Sequence, residues 1–349
     1  TDICRGVTNY LKSRGLTGNV ETEGLYHVAR EFNSGRQIPD FDKMKEYRQI
    51  ISARLYRRRL DANSSAYRGL IQQSVEPGYA DGYGSTSPEV LVPSFIAAYT
   101  GRNPNAVSLD PFPGYFAMMP NWRLSIDGLI NFKTLKKWFK SANITHSYKS
   151  TYNVNSFTTN FLFEPDENGL SIIRDYQQNF IPALLFNAVS ITEQISPLIG
   201  IDVTWINSLI TRFEIKKSRT LALSLSNNQI TESRNNEFVV GSGYRFKEVP
   251  LKIGQRAFES DLNVRFDLSV RDNKTVIRYL VETSDLENKP EATTGQRVFD
   301  INLTADYLLS PRFNLQFMFK RTLNKPYTSR AFLNTDTFIG FSLRFSLTQ

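Results

Sequence analysis

Long stretches of this chain alternate apolar and polar residues at every second position. In "DLNVRFDLSVR" (261–271) five apolar residues occupy every second position, and Arg265 and Asp267 are among the polar residues between them. The segment "VFDINLTADYL" (298–308) repeats the pattern, with Asp300 and Asn302 among its polar residues. Successive side chains of a β-strand point to opposite faces of a sheet. The pattern therefore predicts antiparallel strands with one apolar and one polar face from Trp122 onward.

The segment "KKSRTLALSLSNNQ" (216–229) raises the question of what the apolar faces meet. Leu221, Leu223 and Leu225 alternate with small residues that include Ser224, behind a basic run that we expect at the rim. A folded core and a lipid bilayer both accept leucine side chains. Alternation alone leaves both environments open.

Composition excludes several classes of function. The net charge of +8 is spread out, with 14 basic and 12 acidic residues in 1–120 and 28 and 22 in 121–349, whereas a nucleic-acid groove needs a concentrated basic stripe. The single cysteine, Cys4, permits no internal disulfide and no multi-cysteine metal site. No apolar run approaches the roughly 18 residues of a transmembrane helix. The sequence thus predicts no nucleic-acid partner, metal or cofactor.

Residues 1–120 are predicted to be a partly helical loop, lumen or extracellular region. The segment 41–60 has one apolar helical face and a basic end, "RLYRRRL", for which a solvated helix end is favoured over contact with phosphates or cargo. In "SPEVLVPSFIAAYTG" (87–101), Ser87 is the expected N-cap and Gly101 the stop. Pro93 should kink that helix or split off its first turn.

Residues 121–349 are predicted to form about thirteen strands, most of them near the 9–11 residues that cross a bilayer as a tilted strand. Asp272-Asn273 and Ser310-Pro311 are predicted tight turns, and 207–208 and 218–219 are two further short connections. Long polar links are expected at 284–295 and 322–336. Short and long connections alternate in outer-membrane barrels, but here the alternation is clean only over the last strands.

Strand length, charged polar faces and aromatic residues near strand ends favour lipid over a core. The aromatic residues expected at the membrane interfaces are Trp122, Tyr148, Tyr152, Tyr244, Tyr279 and Tyr307. The predicted lipid-facing residues are Leu221, Leu223, Leu225, Leu262, Val264 and Phe266. The predicted lumen-facing residues are Ser224, Arg265, Asp267, Asp300, Asn302 and Arg344. A soluble β-sandwich also alternates and stays open as the alternative.

No catalytic constellation stands out, and the sequence predicts that the chain is not an enzyme. His27 and His146 are far apart, and a structural histidine is favoured at both positions. The glycine-rich "GYADGYGS" (78–85) lacks the lysine of a phosphate-binding loop and is predicted to be a flexible loop. The segment "FKTLKKWFK" (132–140) is predicted to be either an amphipathic turn at the membrane or a charged surface loop.

Several segments together resemble the C-terminal region of the SprA/Sov family. They are "PNWRLSIDGL" (120–129), "SPLIGIDVTWINSLITRFEIKKSRTLALSLSNNQITE" (196–232), "EFVVGSGYRFKEV" (237–249), "LNVRFDLSVRDNKTVIR" (262–278) and "FIGFSLRFSLTQ" (338–349). The helical "VLVPSFIAAYTG" (90–101) resembles the stretch that precedes them in the family. The resemblance covers roughly residues 80–349, in order.

This resemblance implies a segment of the outer-membrane translocon of the type IX secretion system, located in the bacterial outer membrane. The implied function is the passage of folded cargo proteins that bear a C-terminal sorting domain. The implied partners are a PorV-type shuttle barrel, a periplasmic plug protein and outer-membrane lipid. Family members are several times longer than this chain, so we expect an incomplete or open antiparallel transmembrane β-barrel. The alternative function is that of a secreted β-sandwich adhesin.

Overall fold

The described residues form one antiparallel β-sheet with two helices packed on it. The computed structural model describes residues 18–22, 40–67, 76–112, 121–253, 256–280, 294–310, 313–328 and 332–345. The helices are α1 (Asp40–Asp61) and α2 (Pro88–Thr100). Short 3-10 turns lie at Ser65–Tyr67, Gly128–Asn131 and Leu135–Lys137. Cys4 and His27 lie outside the described residues.

The sheet contains ten strands in chain order. They are β1 (Gly18–Thr22), β2 (Trp122–Ile126), β3 (Phe139–Thr159), β4 (Leu184–Trp205), β5 (Leu209–Ser224), β6 (Gln229–Ile253), β7 (Arg256–Tyr279), β8 (Thr294–Ser310), β9 (Phe313–Pro326) and β10 (Asn334–Phe345). Each strand pairs antiparallel with the next, and β1 and β10 are the two edges of the described sheet. The mainly β prediction is confirmed, and the described sheet is open.

The connections differ in length between the two ends of the sheet. At one end, here called the short-turn end, the links from β4 onward are 206–208, 254–255 and 311–312, and the longer 127–138 link joins β2 to β3. At the other, the loop end, they are 160–183, 225–228, 280–293 and 327–333. Short and longer connections thus alternate from β3 to β10. The turn predicted at 207–208 falls between β4 and β5 as expected, whereas Ser310 is the last residue of β8 and Pro311 lies outside the described residues.

Two predicted turns are wrong. These errors explain why the predicted connections did not alternate between short and long over the whole sequence. Asp272 and Asn273 lie inside β7 and pair with Asn236 and Asn235. Residues 218 and 219 lie inside β5. Turn-forming residue types do not break these strands, because neighbours on both sides complete the hydrogen-bond ladder. The described residues of 121–349 accordingly form nine strands, most of them longer than the predicted 9–11 residues.

A compact unit, here called the cap, covers the loop end of one sheet face. It consists of residues 41–67, 76–112 and 160–183. Both predicted helices are confirmed, and α2 ends where Gly101 adopts a left-handed φ of 66°. Pro93 does not split off the first turn, since α2 runs past it without interruption.

The cap and the sheet share one hydrophobic core. The sheet contributes Val189, Ile191, Leu221, Leu223 and Ile230, joined by Leu280 directly after β7, against Met44, Ile51, Leu55, Phe95 and Phe180 of the cap. Leu221 and Leu223 are 0% exposed, and Leu225 packs partly against the same core. The prediction that Leu221 and Leu223 face lipid is therefore wrong, because the cap occupies the position that lipid would take.

The 160–183 loop ties the cap together through the glycine-rich segment 78–85. Arg174 forms a salt bridge of 2.6 Å with buried Asp81, and the Phe180 backbone N–H donates to the Gly82 carbonyl at 2.9 Å. A Cβ at Gly82 would lie 2.2 Å from the Phe180 ring, at a φ of +79°, so only glycine fits there. The predicted flexible loop is thus a packed junction.

Truncation of a core leucine tests the cap–sheet junction. We expect Leu223→Ala to lower the free energy of unfolding by about 3 kcal/mol, because it leaves a cavity in a filled core. Leu343→Ala removes the same atoms from a residue that is 63% exposed on β10 and should cost under about 1 kcal/mol. Denaturant titration of both variants measures the difference, and equal costs would mean that the cap does not bury Leu223.

The carboxyl of Glu89 in α2 should make the cap sensitive to pH. Desolvation raises the pKa of Glu89, while Arg58 and Arg59 oppose the shift. A carboxyl whose pKa is raised by folding stabilises the folded state fully at pH values below its unfolded-state pKa. This stabilisation is lost as the pH rises through the folded-state pKa. We therefore expect Glu89→Gln to raise the denaturant midpoint at neutral pH and to flatten its decline from acidic to neutral buffer. An unchanged decline in the variant would assign it to another group.

Candidate functional site: the two faces of the sheet

The cross-strand register assigns every strand residue to one of two faces. One row of directly opposed residues runs Arg212, Gly241, Asp267, Asn302 and Lys320. We call the face with this row the polar face. All six predicted lumen-facing residues lie on it, namely Ser224, Arg265, Asp267, Asp300, Asn302 and Arg344. Their exposure to a hydrated lumen stays a prediction.

Ion pairs run both along and across the strands of the polar face. Within β5, Arg212 lies 2.8 Å and Lys216 3.1 Å from Glu214, and Lys216 also lies 3.8 Å from Glu237 of β6. Glu237 also accepts a 2.8 Å contact from Arg271. Such alternating charges suit a hydrated environment and offset each other across neighbouring strands.

A concave hollow of about 1260 Å³ opens on the polar face near the short-turn end. Gly241 and Gly243 leave part of its floor without side chains, and Asp267 lies over the gap. A Cβ at Gly241 would lie 2.6 Å from the Asp267 carboxylate. The hollow is lined mainly by charged and polar residues, among them Asp202, Arg212, Glu237, Arg265, Asp306 and Lys320.

The opposite face carries the alternating apolar residues, and the cap leaves its short-turn half uncovered. We call this uncovered part of β4–β10 the apolar band. In β6–β8 it comprises Phe238, Val240, Ser242, Tyr244, Phe246, Leu262, Val264, Phe266, Leu268, Val270, Phe299, Ile301, Leu303 and Ala305. Three predicted lipid-facing residues, Leu262, Val264 and Phe266, therefore lie outside the cap. Phe266 is 40% exposed, and Phe341 of β10 is 74% exposed.

Different residues border the apolar band at its two ends. Toward the short-turn end lie aromatic pairs, with ring centroids 4.7 Å apart in Phe139–Trp205 and 4.6 Å apart in Tyr244–Phe246. Toward the cap lie two charged cross-strand rows, here called the basic belt. The belt consists of Glu193, Arg219, Arg234 and Lys274 in one row and Lys217, Asn236, Asp272, Arg297 and Lys325 in the other.

The predicted interfacial aromatic residues are mostly used for packing instead. Trp122 stacks on Tyr148 at 4.4 Å, and both are buried. The hydroxyl of Tyr152 donates to the Pro111 carbonyl at 2.9 Å, and that of buried Tyr307 donates to the Val249 carbonyl at 2.7 Å. Interfacial roles for these residues are therefore wrong, whereas Tyr244 lies in the band.

The sequence predicted a solvated basic end for α1, but one of its arginines is buried. Arg59 is 1% exposed. Its guanidinium donates to the Tyr83 hydroxyl at 3.1 Å, to Ser64 at 3.0 Å and to the Ser171 carbonyl at 2.7 Å, and it lies 3.6 Å from the centroid of Phe180. Burial raises the pKa of Tyr83 to about 12, so its hydroxyl stays protonated.

The 132–140 segment forms a turn at the short-turn end of the sheet. Phe132 is 42% and Trp138 62% exposed, and the Ile206 backbone N–H donates to the Trp138 carbonyl at 3.2 Å. The turn therefore places exposed aromatic residues beside lysines at one border of the apolar band, an arrangement typical of membrane interfaces.

The described residues hold no group of metal-ligating side chains. His146 lies 2.7 Å through Nδ1 from the Leu198 carbonyl, which fits a structural histidine. Within the described residues, no helix has both the length and the apolar composition needed to span a membrane.

No model of a known protein family matches the chain, and no curated protein matches it either.

Sequence reasoning missed the two features that divide the apolar face, the cap contact and the basic belt. The belt residues are scattered along six strands and become neighbours only through the register. The sequence did contain a signal for the belt. Lys217, Lys274 and Lys325 each occupy a position that the alternating pattern of the strand would otherwise give to an apolar residue.

Removal of the buried guanidinium tests the role assigned to Arg59. We expect Arg59→Ala to destabilise the protein by about 3 kcal/mol, because it leaves buried acceptors without their donor. Arg57→Ala, at an exposed position of the same helix, should cost no more than about 0.5 kcal/mol. Denaturant midpoints and limited proteolysis of the cap measure the loss of stability in both variants. A small loss in Arg59→Ala would support the predicted solvated helix end instead.

Proposed function

We propose that this chain is part of the wall of an outer-membrane translocon. The observation that carries the proposal is the apolar band, an uncovered face of one sheet whose opposite face is charged. In a membrane wall the band contacts lipid, and the polar face lines a hydrated passage. The mechanism is passage through this lumen, without covalent chemistry.

The dimensions of the band support contact with a bilayer. From Phe238 to Phe246 it extends eight residues, about 27 Å at roughly 3.4 Å per residue. A strand tilt of about 40° reduces this to about 21 Å, close to the roughly 25 Å apolar band of outer-membrane barrels. The strands continue beyond the band under the cap, so their full length exceeds a bilayer crossing.

The orientation of the sheet follows from its connections. Outer-membrane barrels have short turns on the periplasmic side and long loops outside. The short-turn end is accordingly periplasmic, and the cap, built partly from the 160–183 loop, lies at the cell surface. The exposed Phe132 and Trp138 then lie at the periplasmic interface.

One charged residue interrupts the apolar band. Arg321 of β9 opposes Ile301 on the apolar face and is exposed. It lies four residues from Lys325 of the basic belt, and its long side chain can extend toward that belt, as arginines near membrane borders do. The position of Arg321 is therefore compatible with lipid around the rest of the band.

The assignment to the type IX secretion system rests on the resemblance of residues 80–349 to the SprA/Sov family. On that basis the passengers are folded cargo proteins with a C-terminal sorting domain, and the partners are a PorV-type shuttle barrel and a periplasmic plug protein. The open sheet fits an incomplete or open barrel. The chain then supplies the C-terminal part of a larger wall.

The alternative, a secreted β-sandwich adhesin, would need a second sheet over the apolar band. The described part of the chain forms a single sheet, and the cap covers only its loop end. The uncovered band therefore favours the membrane wall.

Two substitutions on opposite faces of β7 test the proposal. We expect Phe266→Arg, in the middle of the apolar band, to block insertion into lipid vesicles, because an arginine facing mid-bilayer lipid costs roughly 2–4 kcal/mol. Ser269→Arg, on the polar face and opposite Asp300, should insert like the unmodified protein. Heat-modifiable gel migration after refolding with vesicles reports insertion.

A protein that stays monomeric in plain buffer, and whose two arginine variants behave alike, would support the adhesin and contradict the membrane wall.

A further inference from the structure

The basic belt lies between the apolar band and the cap, on the same face as both. Its two rows hold six basic residues, Lys217, Arg219, Arg234, Lys274, Arg297 and Lys325, and two acidic ones, Glu193 and Asp272. Like charges directly opposite one another destabilise a sheet, yet Arg219, Arg234 and Lys274 occupy successive strands in one row. The belt therefore concentrates positive charge in a narrow strip.

Internal ion pairs neutralise only part of this charge. Arg219 lies 2.9 Å from Glu193, Arg234 lies 2.6 Å from Glu232, and Arg297 lies 3.1 Å from Asp272. The three lysines of the belt are exposed, and no carboxylate of the described residues lies within ion-pair distance of them. They are Lys217, Lys274 and Lys325.

We propose that the basic belt binds the anionic phosphate groups of membrane lipids whose chains contact the apolar band. This inference rests on the proposed membrane location, which supplies the lipid. Charge complementarity selects the occupant, since a strip of ammonium and guanidinium groups beside an apolar surface matches a molecule with anionic phosphate next to hydrocarbon. On the proposed orientation these headgroups belong to the outer leaflet.

The belt also explains the position of the cap. The cap covers the apolar face beyond the belt, where a headgroup layer would otherwise leave leucines such as Leu223 in contact with water and phosphate. The order along β5 is Phe213 and Ile215 in the band, Lys217 and Arg219 in the belt, and Leu221 and Leu223 under the cap. Lipid chain, lipid phosphate and protein thus follow one another on a single strand face.

Titration of fluorescent phosphatidic acid into the protein in neutral detergent micelles tests the inference. The triple variant Lys217→Gln, Lys274→Gln and Lys325→Gln should bind it about a hundredfold more weakly, since each basic residue near an anionic surface contributes about 1 kcal/mol and 1.4 kcal/mol is a factor of ten. The matched control removes three exposed lysines of the polar face, Lys140→Gln, Lys149→Gln and Lys320→Gln. The control should bind like the unmodified protein.

Three results would overturn the belt assignment. They are equal losses in both triple variants, no loss in the belt variant, and displacement of phosphatidic acid by inorganic phosphate alone at similar concentration, which would identify a free-phosphate site. Heat-modifiable migration in vesicles is measured in parallel on all three proteins. Insertion without belt-dependent binding contradicts only the lipid-phosphate inference, whereas failure of the unmodified protein to insert contradicts the proposed function itself.

Discussion

The hydrogen-bond register between adjacent strands is the constraint on which the rest of the structure depends. Because side chains alternate along a strand, a slip of one residue would move every apolar side chain to the charged face. Rows such as Arg212–Gly241–Asp267–Asn302–Lys320 keep one parity across five strands. This register separates a polar from an apolar face over the length of the sheet.

The apolar face then has three zones in a fixed order along the strands. Its loop end is a conventional protein core, in which Leu221 and Leu223 pack beneath the cap. Its middle is the basic belt, and its short-turn half is the uncovered apolar band. One alternating pattern thus supplies both a covered core and an uncovered apolar surface, with charge at the boundary. The proposed membrane wall, with one end folded under its own loops, would account for all three zones.

The two faces could be predicted from sequence, because period-two alternation is a local property. The six residues assigned to the polar face all lie there. Strand ends were harder to predict, since Asp272 and Asn273 form a turn in many contexts but are held in β7 by β6 and β8. The covering of Leu223 could not be predicted, because a leucine under a cap and a leucine against lipid obey the same alternation. Contacts distant in sequence, such as Arg59 to the Ser171 carbonyl, decide between them.

Nitroxide labels at successive positions 262–271 of β7, in protein reconstituted into vesicles, test the central claim most directly. Collision with oxygen, which is concentrated in lipid, and with a water-soluble nickel chelate is measured at each position. The account predicts high oxygen accessibility at even positions and high nickel accessibility at odd ones, with position 223 shielded from both reagents. Even positions of β7 that are accessible to nickel, or shielded from both reagents, would contradict a lipid-facing band.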